Sequence, residues 1–384
     1  MMNRSIWKNS RRSRSRIKKK GEDKLSNLPN ELIHHILSFV DAKTAVQTCV
    51  LAHRWKNIWI SLLFLNFHNS SFDHDFLFQD FVLNFLANRN SDSKIDVLKF
   101  ECTGDELKET GAPTVDSVVD YVASKDIQNL TIVADYVLES LPRLFTSRTL
   151  TVLNLSNIST ETSTFEFVSL QKLSLVDCKF EIRDVEILDP FLGCPKLSFL
   201  LFDCCQFYGK FDKFKIHAPQ LTELSISCLR VDEEFDSECV IELFTPKLRY
   251  FSYDDPLNLY AFSIQAKLHF LEKLVIDVDS SAVLNALDNT EGTKLSMKFI
   301  ELFEAMGSAK FVYLSPDVVK VLSLFPALFM GRLSPFTRVQ TFKFIVDVYS
   351  SFPLPTNVMA YLLRGSPGFT CYRRQGSYTA KQSG

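Results

Sequence analysis

The sequence predicts an α+β chain in which three short N-terminal helices precede an α/β solenoid with parallel short strands. Between residues 28 and 59 apolar side chains recur every three or four positions, the period of a helix face. From residue 95 a six-residue motif of the form L-x-x-L-x-L returns again and again, with the inward alternation of a strand. Composition sets the scale: 384 residues, 46% of them hydrophobic, can bury a large core and suffice for more than one module.

The chain opens on a basic segment. Residues 1–20 hold nine Lys or Arg and no acid, so the net charge of -2 hides a strongly acidic remainder. A stretch containing RSRSR and KKK cannot bury apolar surface, and residues 1–22 are expected to be a disordered tail. Its functional readings are a nuclear-import signal or a nonspecific nucleic-acid contact. The N-terminus lacks the apolar run of a secretory signal, and nowhere do about 18 uncharged apolar residues follow one another. A membrane partner is therefore not expected, and location in nucleus or cytoplasm is.

Residues 23–67 form the first module. Leu28, Leu32, Ile33, Ile36, Leu37 and Val40 line one side of a helix whose first turn suits Pro29, because that nitrogen needs no intrahelical partner. Asp41 can cap a second helix carrying Ala42, Ala45, Val46, Cys49 and Val50, and a third carries Trp55, Ile58 and Trp59. So small a unit buries little surface by itself. Leu28, Pro29 and Leu32 at its leading edge read as surplus apolar surface for a partner.

These residues carry a family resemblance. DKLSNLPNELIHHILSFV followed by AVQTCVLAHRWKNIW closely resembles the F-box, with its L-P-x-E-L-x-x-x-I-L core and closing R-W-x-x-x-W. The chain departs from the family pattern at Val40-Asp41, where Pro is frequent, and at Ala52-His53, where Ser-Lys is usual. Neither change removes an apolar contact residue. The resemblance implies binding to the Skp-type adaptor and, through it, to the cullin and RING subunits of a ubiquitin ligase. On matching positions Leu28, Pro29, Leu32, Ile36 and Leu37 would meet the adaptor, with Val46, Val50, Leu51 and Trp55 divided between that contact and the module's own core.

Residues 68–94 are expected as a helical linker, since FLFQDFVLNFLAN places Phe76, Phe81, Val82, Phe85 and Leu86 at helical spacing. The solenoid follows over 95–346. Its motif starts at 95, 127, 150, 170, 197, 221, 248 and 271, and from the third copy the starts lie 20 to 27 residues apart, close to the leucine-rich-repeat range. Weaker copies begin at 309 and 339. Cys178 and Cys205 occupy the place where the motif usually has Asn or Cys, a turn in which a small polar side chain meets buried backbone. Other copies put Ile158, Leu229, Pro256 and Asp279 there, so the ladder is irregular. A helical cap is expected over 347–370 and a polar, disordered tail over 371–384. LPRLFTSRTLTVLNL and GCPKLSFLLFDCC look like plant F-box proteins with irregular leucine-rich repeats. Many of those continue into an FBD domain, which is not expected here.

No catalytic, cofactor or metal site is expected. There is no Gly-rich phosphate loop, H-E-x-x-H, G-x-S-x-G or EF-hand spacing, and the nine cysteines contain no C-x-x-C pair. Two adjacent histidines, His34 and His35, point about 100° apart on a regular helix and cannot readily share a metal; Glu31 and His35 read as an exposed pair. The acidic runs Asp232-Glu233-Glu234 and Asp254-Asp255 read as solvated loop ends rather than acid/base partners. The favoured function is thus a non-catalytic receptor that docks on the adaptor through residues 23–67 and holds an unknown protein substrate on its repeats. Alternatives are a small-molecule sensor built on the concave face of the repeats, which would call for convergent Arg and aromatic residues, and nucleic-acid binding through the basic tail.

Overall fold

The computed structural model describes residues 27–90, 93–104, 112–137, 141–161, 164–183, 185–231, 239–255, 260–278, 289–346, 355–363 and 369–373. The basic tail, the Asp232 to Glu234 run, Pro256 and Asp279 lie outside them. Short helical pieces come first: α1 (Asn30–Leu37), α2 (Ala42–Gln47) continued by a 3-10 turn over Thr48–Val50, and a 3-10 segment over His53–Ser61. Asp41 caps α2, its Oδ1 accepting from the Thr44 amide at 2.7 Å. Pro29 stands one residue earlier than expected, as the N-cap of α1, and its carbonyl accepts from the Ile33 amide at 3.1 Å.

The solenoid begins with β1 (Phe64–His68), α3 (Asp75–Ala87), β2 (Val97–Cys102), α4 (Ala112–Ala123), β3 (Asn129–Val137), β4 (Val152–Thr160) and β5 (Lys172–Val176). It continues through β6 (Lys179–Glu181), β7 (Ile187–Leu188), β8 (Phe199–Asp203), β9 (Gln206–Tyr208), β10 (Lys213–His217), β11 (Glu223–Ser227), β12 (Arg230–Val231) and β13 (Val240–Phe244). Then come β14 (Tyr250–Asp254), β15 (Ala261–Ile264), β16 (Lys273–Asp277), α5 (Asn289–Ala305), β17 (Phe311–Leu314) and α6 (Pro316–Leu324). Last are β18 (Thr341–Val346), α7 (Thr356–Leu363) and β19 (Phe369–Arg373).

The motif strands pair in parallel in the order β1-β2-β3-β4-β5-β8-β11-β14-β16-β17-β18-β19. Register explains the motif. Leu153, Leu173, Leu200, Leu224, Phe251 and Leu274 stand side by side on adjacent strands, and all are buried. Each strand also enters through one repeated backbone bond, such as Thr222 N to Ser198 O at 2.9 Å and Arg249 N to Thr222 O at 2.9 Å. At the strand exits Asp177, Cys204 and Cys228, and inside β4 Asn157, take positive φ near 50°, a conformation that Asn and Asp tolerate better than most residues. The core between is aromatic: Phe180 stacks on Phe207 at 4.6 Å, and Phe207 meets Phe214 edge-on at 5.0 Å.

Three expectations about boundaries change. The sheet begins at Phe64 and not at 95, because β1 pairs with β2 in register from Phe64↔Val97 to His68↔Glu101. The stretch expected as a linker is therefore the helix of the first repeat: Phe78 of α3 lies 5.6 Å from Phe100, and Phe85 lies 5.2 Å from Phe67. At the far end β19 adds to the edge of β18 through pairs such as Phe344↔Cys371, so residues 371–373 are strand and not tail. FTCYR is rich in aromatic and β-branched side chains, and the edge of β18 offers it unpaired backbone groups.

Between β4 and β16 the connections carry strands where α3 and α5 sit elsewhere. A second sheet, β15-β13-β10-β7, covers the inner face there, so both ends of the solenoid are α/β and its middle is strand on strand. Among the described residues no helix is long and apolar enough to cross a membrane.

Candidate docking site

The helical module divides its apolar residues between two faces. Ile33 and Leu37, four apart on α1, point inward and pack with Ala42, Ala45, Trp55 and Ile58. Leu32 and Ile36, also four apart, point outward and are 49% and 44% exposed. Phe39 just beyond the helix is 76% exposed, and Val50 is 84% exposed with Leu51 beside it. A single stripe predicted from spacing is thus two stripes back to back. Large apolar side chains this exposed on so small a module form an apolar patch of the kind that interaction surfaces carry.

Each residue expected at the adaptor can now be placed. Pro29, Leu32, Ile36, Val50 and Leu51 lie outside; Leu28 and Val46 are half-buried against the core. Leu37 and Trp55 are core residues, with Leu37 only 2% exposed, and neither offers surface to a partner. Leu37 falls inward because it stands four residues from Ile33, which points at Trp55's side of the module. Phe39 was missed by the helical spacing because it lies past the C-cap Ser38. His35 meets the Phe39 ring edge-on at 4.9 Å, in place of the expected pairing with Glu31.

The module is fixed to the first repeat by a polar junction that spacing could not show. Asp41 Oδ2 accepts from Ser71 Oγ at 2.6 Å and lies 3.2 Å from His68 Nε2, while Lys43 donates to the Ser71 carbonyl at 2.5 Å. Burial alone would raise the Asp41 carboxyl; hydrogen bonds from Ser71 and Thr44, with the nearby His68, outweigh it and hold the pKa below the ordinary value. Arg89 is buried and donates to the carbonyls of Leu62 at 2.8 Å and Trp59 at 3.4 Å and to the Tyr121 hydroxyl at 3.2 Å. Burial pulls its pKa down, yet no ordinary pH deprotonates an arginine.

In the repeats, Cys178 and Cys205 are buried and donate their thiols to the carbonyls of Leu155 at 3.4 Å and Leu175 at 3.2 Å, the small-polar-side-chain role the motif implies. Burial raises Cys194 to about 11, which leaves little nucleophilic thiolate. Asp255 corrects an expectation: it is fully buried, not solvated, and Arg230 Nη1 holds its Oδ2 at 2.8 Å. The charge is tolerated because the pair shares it.

Comparison with known proteins agrees with this geometry. The F-box domain model matches residues 25–67. F-box/LRR-repeat protein At3g58900 of Arabidopsis thaliana is 30% identical over 348 residues, covering 81% of this chain and all of that relative. F-box/LRR-repeat protein 25 of the same plant is 29% identical over 62% of this chain and 88% of its own length. F-box/FBD/LRR-repeat protein At1g78750, also from Arabidopsis thaliana, is 28% identical, and the match spans 55% of its length. An N-terminal F-box joined to a leucine-rich-repeat solenoid defines a class of proteins that generally serve as adaptors, the F-box implying binding to a Skp-type partner. The chain belongs to the plant F-box/LRR-repeat family.

Proposed function

We propose that this chain is the substrate-recognition subunit of a Skp/cullin/F-box ubiquitin ligase. The F-box docks on the Skp-type adaptor, cullin and RING subunits join through that adaptor, and the repeats hold the protein to be modified. The observation that carries this reading is the outward apolar stripe of Leu32 and Ile36, continued by Phe39, Val50 and Leu51, on a module whose core is complete without them. The chain contributes no catalytic group; it accelerates transfer by raising the substrate's effective concentration beside the ligase. The polar junction supports the same reading, because a receptor must present its substrate at a set distance and angle. The nine cations of residues 1–20 support nuclear delivery.

The test is capture of a purified Skp-type adaptor by the full chain and by the Leu32→Ala/Ile36→Ala variant. Removing two side chains that bury on binding should weaken capture by about tenfold per residue. Undiminished capture by a folded variant would remove the basis of the proposal.

A further inference from the structure

The motif strands leave their second face open, and its side chains change character along the solenoid. At the middle position of successive strands stand Asn154, Ser174, Leu201, Ser225 and Ser252, all but Leu201 small and polar. From β14 onward the face becomes aromatic and basic. Tyr250, Lys273 and Phe311 stand level with one another on three adjacent strands, and one step along, Tyr313 stands level with Lys343. Lys273 Nζ lies 5.1 Å from the Tyr250 ring centre and 4.9 Å from that of Tyr313, and Lys343 Nζ lies 5.7 Å from Tyr313. A cleft of about 370 Å³ opens beside them, between Tyr250, Lys273 and Phe311.

The charges around this cluster decide what fits it. Glu272 at the rim is engaged by Arg249 at 2.9 Å, with Lys310 at 4.0 Å, so its charge is already answered. Asp254 and Asp277 stand two residues farther along β14 and β16 than Ser252 and Val275, about 7 Å along the strand direction. Glu223 stands level with Tyr250 on β11 and lines the same cleft, and with Asp254 and Asp277 it confines any incoming anion to the lysine row. The rings hold Lys273 in place before a partner arrives, which lowers the entropy lost on binding.

We infer that the open face over β14 to β18 binds an extended acidic segment of a protein substrate, with its carboxylates or phosphates on Lys273 and Lys343 and an aromatic side chain against Tyr250 and Phe311. The inference rests on the receptor reading above and names the chemistry of what is received. An extended segment fits better than a small ligand, because a small-ligand pocket encloses most of its guest whereas this face is a track that continues over Ser225 of β11 and Leu201 of β8. Burying one aromatic ring on such a face adds hydrophobic gain to the charge pairing.

Phage-displayed random dodecapeptides panned on the full chain test this. The wild type should enrich sequences combining Asp or Glu with Phe, Tyr or Trp, and synthetic copies should bind about tenfold or more weakly to Lys273→Glu/Lys343→Glu. Paired synthetic peptides bearing Glu or phosphoserine at the same position distinguish a carboxylate from a phosphate source. Tyr313→Ala, which keeps both charges and releases Lys273, should weaken binding less than the charge reversal. Should the glutamates unfold the chain, Lys273→Gln/Lys343→Gln keeps most of each stem and serves instead. No enrichment, enrichment without acidic bias, or affinity unchanged in the charge variants overturns the inference. Adaptor capture is measured on the same proteins: its retention by the face variants separates a failure of this face from a failure of the F-box.

Discussion

Arg89 Nη2 donates to the carbonyl oxygen of Leu62 at 2.8 Å, and this bond joins the end of the first repeat's helix to the last turn of the F-box. Around it the Trp59 carbonyl and the Tyr121 hydroxyl take the other guanidinium donors, while Trp59 packs on Phe85 at 4.9 Å. One cation thus ties three separate elements. Arg89→Met, which keeps the apolar stem, should cost about 2 kcal/mol by leaving buried acceptors without donors. Urea unfolding measures that cost. Adaptor capture should persist, and ubiquitin transfer to a bound substrate should fall, since the junction and not the docking face is damaged.

A second prediction concerns pH. The Asp41 carboxyl sits below its ordinary pKa of 3.8 because Ser71 and Thr44 donate to it, despite the opposing effect of burial. Between the folded and unfolded values the unfolded chain binds more protons, so this contribution is fully present above about pH 4 and disappears as pH falls through the folded pKa. Asp41→Asn keeps a good helix cap but does not titrate. Melting temperatures at successive pH values from 6 downward should therefore show a steeper acid loss in the wild type than in Asp41→Asn. Equal slopes would mean that Asp41 carries none of the acid sensitivity.

The buried pair inside the repeats gives a third. Arg230→Met leaves Asp255 fully buried beside Tyr253 without its main cation, and breaking such a pair from one side costs about 3–5 kcal/mol. Replacing both, as Arg230→Met with Asp255→Leu, should recover much of the loss, because the desolvation cost of the carboxylate goes with it. Chemical denaturation of the two variants measures the difference, and equal destabilisation would argue against a shared charge.

How much of this was legible in the sequence follows from period. Leu153, Leu173 and Leu200 repeat at strand spacing, so the ladder of parallel strands could be read directly, as could the cap at Asp41 and the turn thiols of Cys178 and Cys205. β1 could not: Leu62, Leu65 and Phe67 fit the same motif and are all buried, but they follow Trp59 without a break and read as the end of the helical module. The Lys273 cluster was invisible for another reason: Tyr250, Lys273 and Tyr313 are far apart in the chain and meet only through register. On α1, spacing identified the apolar residues but not their sides, since Leu32, Ile33, Ile36 and Leu37 satisfy two stripes at once.

That last ambiguity yields the sharpest prediction, because Leu32 and Leu37 are the same residue type on the same helix with opposite burial. Leu37→Ala empties a site packed against the module core and should cost about 2–5 kcal/mol of stability. Leu32→Ala removes an exposed side chain and should change stability by less than about 0.5 kcal/mol. For adaptor affinity the order reverses once folding is accounted for: Leu32→Ala should weaken capture about tenfold, whereas the folded fraction of Leu37→Ala should bind as the wild type does. Thermal melts paired with titration calorimetry against a Skp-type adaptor separate the two effects. If Leu37→Ala lost affinity at temperatures where it remains folded, the core would extend into the interface; if Leu32→Ala bound normally, the outer stripe would have another use.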